Sequence, residues 1–488
     1  MKKHTSFILF GVLLILAVVS GCGKKQTSTP VTASPTPTAE APSSGKETDS
    51  NSLQEGNSFP RSPFLTKSSD QLPADSRLGW GLGGHYIWND LKDSESVQHW
   101  LRILNNFGIK RLDTSIQEGE EPIIWDRPEF EVFPAYDFFI DGLNDKGIAV
   151  NYIIHFWDKE GHDKGELLDT PRFKSEEQIQ DFLEYVRFIV GHFKGRVQYY
   201  TLWSEPGACG GSGIKCIKPL DYIELARRTI PVIHEEDPEA KVVTAKNVLY
   251  FDREYLFTVI QSDVISMFDG ISWHGIYDPA PNSAFYGNYY YEYPTIVEEI
   301  RQTAYAHGFD GEFWGTEITW CSDEFPSCHA PDQPWEMSKT DKIAAKYDAR
   351  SFVMHLGMNV GVGWGGLESP EQPWSYPTVQ RLNTLMNGSG PIQPDAKIEN
   401  EPPDTATYAF TLSNGDMLFA FWMDGVATND DQGLTITLTF NGQSAQTVTG
   451  IDVLYGFEQE LITVVENGNL ILRGLQIRDY PIFVRLTD

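Results

Sequence analysis

The 488 residues predict a (β/α)8 TIM barrel followed by a small antiparallel β-sandwich. Two observations carry this expectation. Eight short apolar runs alternate with amphipathic stretches from about Leu78 to about Gly390. After Pro391 the helical period stops and Asn-Gly pairs appear.

The strand-like runs are Leu78–Leu82, Arg111–Thr114, Ile148–His155, Val197–Trp203, Lys241–Ala245, Gly270–His274, Glu312–Thr316 and Val360–Gly363. Helix-like segments between them include Ser94–Phe107, Ser175–Phe193, Pro219–Glu235, Thr295–His307 and Thr340–His355. Such alternation requires a parallel sheet, and eight units fit a closed barrel over residues 76–392. An open doubly wound sheet is the rival arrangement. Beyond it, Asn414-Gly415, Asn441-Gly442 and Asn467-Gly468 lie among β-rich runs. Asn and Gly both accept positive φ, so each pair predicts a hairpin, and residues 398–488 are expected to form an antiparallel β-sandwich accessory domain.

The N-terminus reads differently. Lys2 and Lys3 precede an apolar run from Phe7 to Val19, too short to span a bilayer but suited to a signal-peptide core. Val19-Ser20-Gly21-Cys22 resembles the bacterial lipobox. That resemblance implies that residues 1–21 are a lipoprotein signal peptide and that Cys22 carries lipid. From Gln26 to Ser58 the chain is Thr, Ser, Pro, Ala and charge with no aromatic residue, which cannot repay its ordering entropy. Residues 22–75 are therefore expected as a tether with a reach of about 40 Å. The expected location is exported and bacterial, lipid-anchored to the outer face of a membrane at the cell surface or in the periplasm.

Charge excludes several partners. The chain carries 38 Lys+Arg against 68 Asp+Glu, a net charge of −30. Sequence-independent nucleic-acid binding needs the opposite balance, as does a basic face on an anionic membrane. The tether's charges cancel, so the acidity belongs to residues 75–488. With Cys22 set aside, four cysteines remain in two pairs of equal spacing, Cys209 with Cys216 and Cys321 with Cys328. An exported chain can oxidise them. Three connectivities are open, with the two short-range bridges favoured. A four-cysteine zinc site is the alternative, although the C-x2-C spacing is absent.

Chemistry in a barrel sits at the C-terminal ends of strands. The fourth run ends in Leu202-Trp203-Ser204-Glu205-Pro206 and the seventh in Gly315-Thr316-Glu317. Two carboxyl groups are what glycoside hydrolysis needs: an acid for the leaving oxygen and an anion for the oxocarbenium-like carbon. Trp-Ser-Glu-Pro and Gly-Thr-Glu on these strands resemble the signature of the clan-A glycoside hydrolases, with family 39 the nearest likeness and family 5 next. The closing β-segments, Gly456–Leu475 and Asp479–Leu486, also resemble the accessory domain of several barrel glycosidases.

The resemblance implies Glu205 as acid/base and Glu317 as nucleophile of a retaining enzyme acting on a β-linked glycan. It also implies substrate-site roles for Arg111, His155, His274, Tyr277 and Trp364. Ser204 departs from the clan, which has Asn there to hold the sugar 2-hydroxyl; Ser is shorter and has a single O–H to donate. That departure supports the alternative of a non-catalytic glycan-binding lipoprotein. Transglycosylation by the same pair is a third reading.

Other signals are weak. Gly79-Trp80-Gly81-Leu82-Gly83-Gly84 matches G-x-G-x-x-G but belongs to a strand end, and no H-E-x-x-H, G-x-S-x-G or Walker loop occurs. No metal or cofactor is expected, the partner is an oligo- or polysaccharide, and the chain is expected to be a monomer. Twelve of the 13 Trp fall between Trp80 and Trp374, with five Tyr between Tyr286 and Tyr293. Such aromatic faces suit sugar rings, with core packing as the competing use.

Overall fold

The structure is a computed structural model. It describes residues 52–81, 87, 91–114, 130–155, 173, 175–207, 217–276, 280–283, 286–318, 320, 322–324, 339–365, 372–399, 401–431 and 433–488. Cys22, Tyr277, Cys209, Cys216, Cys321 and Cys328 lie outside the described residues.

Eight parallel strands form the barrel: β1 Leu78–Trp80, β2 Arg111–Thr114, β3 Ala149–Ile154, β4 Tyr199–Leu202, β5 Lys241–Val243, β6 Gly270–His274, β7 Glu312–Ile318 and β8 Gly361–Trp364. β8 pairs back onto β1, Val362 opposite Leu78, which closes the ring and removes the open-sheet rival. Between β5 and β6 the contact is a single pair, Val243 with Gly270, extended by a short strand at Asn247–Val248.

Among the described residues eight α-helices surround the ring: α1 Ser94–Phe107, α2 Pro134–Asp145, α3 Glu176–His192, α4 Pro219–Glu236, α5 Leu249–Ile260, α6 Gly287–Ala306, α7 Asp341–Gly357 and α8 Ser375–Met386. Local chemistry sets their ends. The Asp93 carboxylate accepts from Ser96 N to start α1, and Gly108 at φ 77° stops it. Ser175 and Thr340 cap α3 and α7 in the same way.

α6 begins eight residues before the expected Thr295. Tyr289, Tyr290 and Tyr293 are therefore buried helix positions, not a sugar-facing connection. The Trp residues follow suit: Trp80, Trp203, Trp273, Trp314, Trp320 and Trp364 are all core.

The C-terminal unit is a sandwich of a seven-stranded and a four-stranded antiparallel sheet. Asn414-Gly415 and Asn467-Gly468 turn hairpins as expected. Asn441-Gly442 does not. The strand before it, Gly433–Phe440, already has Ala396–Glu399 and Asn469–Arg478 on its two edges. The chain must cross to the other sheet, where Thr447–Asp452 pairs.

The boundaries also shift. Gly390–Ile392 pairs with Thr405–Thr411, so the sandwich begins before residue 398. Residues 52–75, expected as tether, belong to the fold. Leu53 is 1% exposed, Arg61–Pro63 adds an edge strand against Phe457–Gln459, and Lys110 Nζ donates to the carbonyls of Ser69 and Leu72. Composition alone missed this because the segment is held by partners distant in sequence, 41 residues away for Ser69 with Lys110 and 406 for Leu53 with Gln459.

Sandwich and barrel meet along α7, which is buried on nearly every side. Lys346 donates to Thr428 O and Asp479 Oδ1, each at 2.7 Å. The Arg350 guanidinium donates to the carbonyl oxygens of Met423, Gly425 and Asp479. Each buried donor thus meets a buried acceptor, as desolvation demands.

Candidate active site

Glu205 follows β4, His274 ends β6 and Glu317 lies in the last turn of β7. The barrel brings these three together. His274 Nε2 lies 2.7 Å from Glu317 Oε2 and 3.7 Å from Glu205 Oε1. One ligand-type atom from each residue fits within 4.8 Å of the other two. His274 and Glu317 are buried, whereas the Glu205 side chain keeps 25% of its surface exposed.

The backbone is strained here. Six described non-glycine residues have positive φ. Three are Asn or Asp, types that tolerate the left-handed region. The other three are Trp203 at 79°, Glu205 at 49° and Glu317 at 51°. Such conformations cost about 1–3 kcal/mol each and gather at functional sites.

Both glutamates have a local cause. The Glu205 turn is held by Lys246, whose carbonyl accepts from Glu205 N at 2.9 Å. Beside Glu317, β7 carries one residue more than β8: Val362 faces Gly315, yet Trp364 faces Ile318. A bulge of this kind breaks the alternation of a strand and re-aims a side chain.

Beneath the three residues lies a buried charge network that the sequence reading missed. Asp113 Oδ1 accepts from Arg111 Nε at 2.8 Å, and Asp113 Oδ2 pairs with Lys246 Nζ at 2.9 Å. Burial pushes the Asp113 carboxyl up, but Arg111 and Lys246 outweigh it and hold the group at about 2. Period-2 inspection would place Asp113 on the inner face with Arg111; nothing in the sequence pairs it with Lys246, 133 residues on.

A second element backs β6 and β7. Trp273 Nε1 donates to the Tyr293 hydroxyl at 2.9 Å. The indole only donates, so Tyr293 in turn donates to His355 Nε2 at 2.7 Å, and His355 Nδ1 donates to Ser351 O. Burial pushes the His355 imidazole down to about 4 and keeps it neutral for this chain of bonds. Gly275 and Gly315 lack side chains where this chain passes: a Cβ on either would overlap His355, and one on Gly275 the Tyr293 hydroxyl as well.

Four expected residues sit otherwise. Arg111 opens β2 and so lies about 10 Å along the strand below its C-terminal end. Its guanidinium stacks 3.9 Å from the Trp314 ring and pairs with Asp113 rather than with Glu317. Trp364 does end β8, but its ring is 1% exposed and presents no open face. His155 closes β3, buried edge-on against Trp203 at 5.4 Å. Ser204 is half-buried and bridges the Lys246 backbone.

No protein-family model matches the chain, nor does any curated protein. Solved structures do resemble it. A family 39 glycoside hydrolase from the gut symbiont Bacteroides cellulosilyticus WH2 superposes with a TM-score of 0.61 at 15% identity, over 87% of this chain and 83% of its own. The catalytic domain of GH30 xylanase C from Talaromyces cellulolyticus does so with a TM-score of 0.51 at 10% identity, over 87% and 99%. At these identities the likeness establishes the fold: a (β/α)8 barrel with a β-sandwich, the architecture of these glycoside hydrolases.

Proposed function

We propose that this protein is a retaining glycoside hydrolase acting on a β-linked glycan. The observation that carries the reading is the approach of Glu205 and Glu317, from the ends of β4 and β7, to within 4.8 Å. Retaining enzymes need carboxyl groups about 5–5.5 Å apart, whereas inverting ones need about 6.5–9.5 Å.

In the first step a Glu317 carboxylate oxygen bonds the anomeric carbon. The bond to the leaving oxygen breaks as that oxygen takes the proton from Glu205. In the second, the Glu205 carboxylate takes a proton from water, the water oxygen bonds the anomeric carbon and Glu317 leaves as carboxylate. His274 stands beside the nucleophile, its Nε2 2.7 Å from Glu317 Oε2. The Asp113 network keeps paired charge out of the chemistry and fixes the Lys246 backbone on which the Glu205 turn rests.

Glu317→Gln is expected to abolish turnover on a panel of chromogenic glycosides and polysaccharides. Glu205→Ala should cripple cleavage of poor leaving groups and spare good ones. Equal rates for wild type and Glu317→Gln would overturn the reading. Ser204 is the feature that favours the other one, a glycan-binding barrel without turnover; binding on a glycan array with no product would support it. The sugar, the linkage and a transglycosylase outcome are read from product analysis in the same assay.

For location, we propose export with lipid at Cys22 and a tether over residues 22–51, ahead of the ordered segment. Disulfides Cys209–Cys216 and Cys321–Cys328 fit that compartment. No described helix is long and apolar enough to cross a membrane. Detergent partitioning of wild type against Cys22→Ala tests the anchor.

A further inference from the structure

Glu205, His274 and Glu317 each place one ligand-type atom within 4.8 Å of the other two. The tautomer of His274 decides what that cluster offers. Thr316 Oγ1 has one proton and sits 3.0 Å from the Trp273 carbonyl oxygen, which can only accept. The hydroxyl oxygen, 3.3 Å from His274 Nδ1, is then left to accept from an Nδ1–H. In the neutral ring Nε2 consequently carries the lone pair. His274 is 2% exposed, and Nε2 has no hydrogen-bond partner despite its nearness to both carboxylates. Three groups that can each act as acceptor lie within 4.8 Å of one another, and a cation held among them offsets their mutual repulsion.

We infer that this cluster binds a single divalent transition ion of the Zn2+ type, reversibly and in competition with substrate. Tetrahedral zinc, with bonds of about 2.0–2.1 Å to nitrogen and oxygen, separates its ligand atoms by about 3.3 Å. The two separations at Nε2, 2.7 and 3.7 Å, fall on either side of that value. Side-chain adjustments bring these two to that value and draw the Glu205 and Glu317 oxygens, within 4.8 Å of each other, together. One imidazole and two carboxylates suit a borderline ion; Ca2+ and Mg2+ ask for six or more oxygens. Thr316 supplies the bond that orients the ligating imidazole from its far nitrogen, a regular feature of metal-bound histidine. The Glu205 side chain keeps 25% of its surface exposed, so solvent reaches this ligand.

The ion occupies the oxygens that double displacement uses, so it is an inhibitor and not a cofactor. The inference stands on the geometry and does not require the hydrolase reading. Calorimetric titration of the metal-free full chain with ZnCl2 is expected to show one high-affinity ion at neutral pH. Glu317→Gln and His274→Ala should each weaken it by at least about tenfold. His307→Ala, an exposed histidine at the end of α6, should not. Glu317→Gln keeps the side-chain shape, so loss of binding there does not reflect loss of fold.

Co2+ in place of Zn2+ should give the visible bands of a four-coordinate nitrogen–oxygen site. A thiolate charge-transfer band would instead put the ion on the cysteines and overturn the inference. So would the absence of binding, or wild-type affinity in both site variants. Where hydrolysis is measurable, Zn2+ should raise the apparent KM and leave kcat unchanged. If no glycoside is cleaved, the hydrolase reading fails on its own while the metal titration still decides this one.

Discussion

Trp203, Glu205 and Glu317 hold backbone angles that their side chains do not favour, and the neighbouring strands keep them there. Lys246 does this for the β4 turn through its backbone and anchors itself through Asp113. Asp113→Asn is expected to leave Arg111 and Lys246 facing each other without the charge between them. The loss should be about 3–5 kcal/mol, read as a lower midpoint in urea unfolding.

Titration gives a second test at the same scale. Burial pushes the Asp252 carboxyl up to about 6, against a hydrogen bond from Asn247. The folded state then holds this proton where the unfolded state has released it, so Asp252 lowers stability as pH rises from about 4 to 6. His355, pushed down to about 4, acts in the opposite sense: the unfolded state takes the proton first, and stability falls as pH drops from about 6.5 to 4. The two offset each other between pH 4 and 6. Asp252→Asn should raise Tm above pH 6 and lose that advantage by pH 4, leaving the His355 slope exposed.

At the scale of elements, the sequence marked strand ends and helix ends well where short-range chemistry sets them. Ser94–Phe107 is bounded by Asp93 and Gly108, and Gly270–His274 and Arg111–Thr114 stand as expected. It missed α2, α5 and α8, and it began α6 too late, because the Pro294 that reads as a helix start lies inside the helix. The bulge in β7 was also hidden, since it exists only as a register against β8. Gly315→Ala tests this level. An added methyl meets the His355 ring, and the strand must shift under Glu317. The expected cost is about 1–3 kcal/mol, with a fall in kcat larger than the change in KM.

For the whole molecule, α7 joins the sandwich to the barrel through buried Lys346 and Arg350, and residues 52–75 strap across both. The two units are one cooperative body on this view. A chain begun at residue 52 should melt like the full one. A chain begun at residue 76 loses the Leu53 and Leu72 contacts and the Arg61–Pro63 edge strand. Burial of one Leu is worth about 1.5–3 kcal/mol, so a clear drop in Tm by calorimetry is expected.

By itself the sequence determined the barrel, the sandwich and the strand-end positions of Glu205 and Glu317, because strand period, hairpin turns and strand-end position are local properties. Only the tertiary structure decided that Lys246 meets Asp113, that Arg111 serves Asp113, and that most of the described Trp are core. These are meetings between residues tens to hundreds of positions apart. Ring closure brings them together, and no local pattern records it.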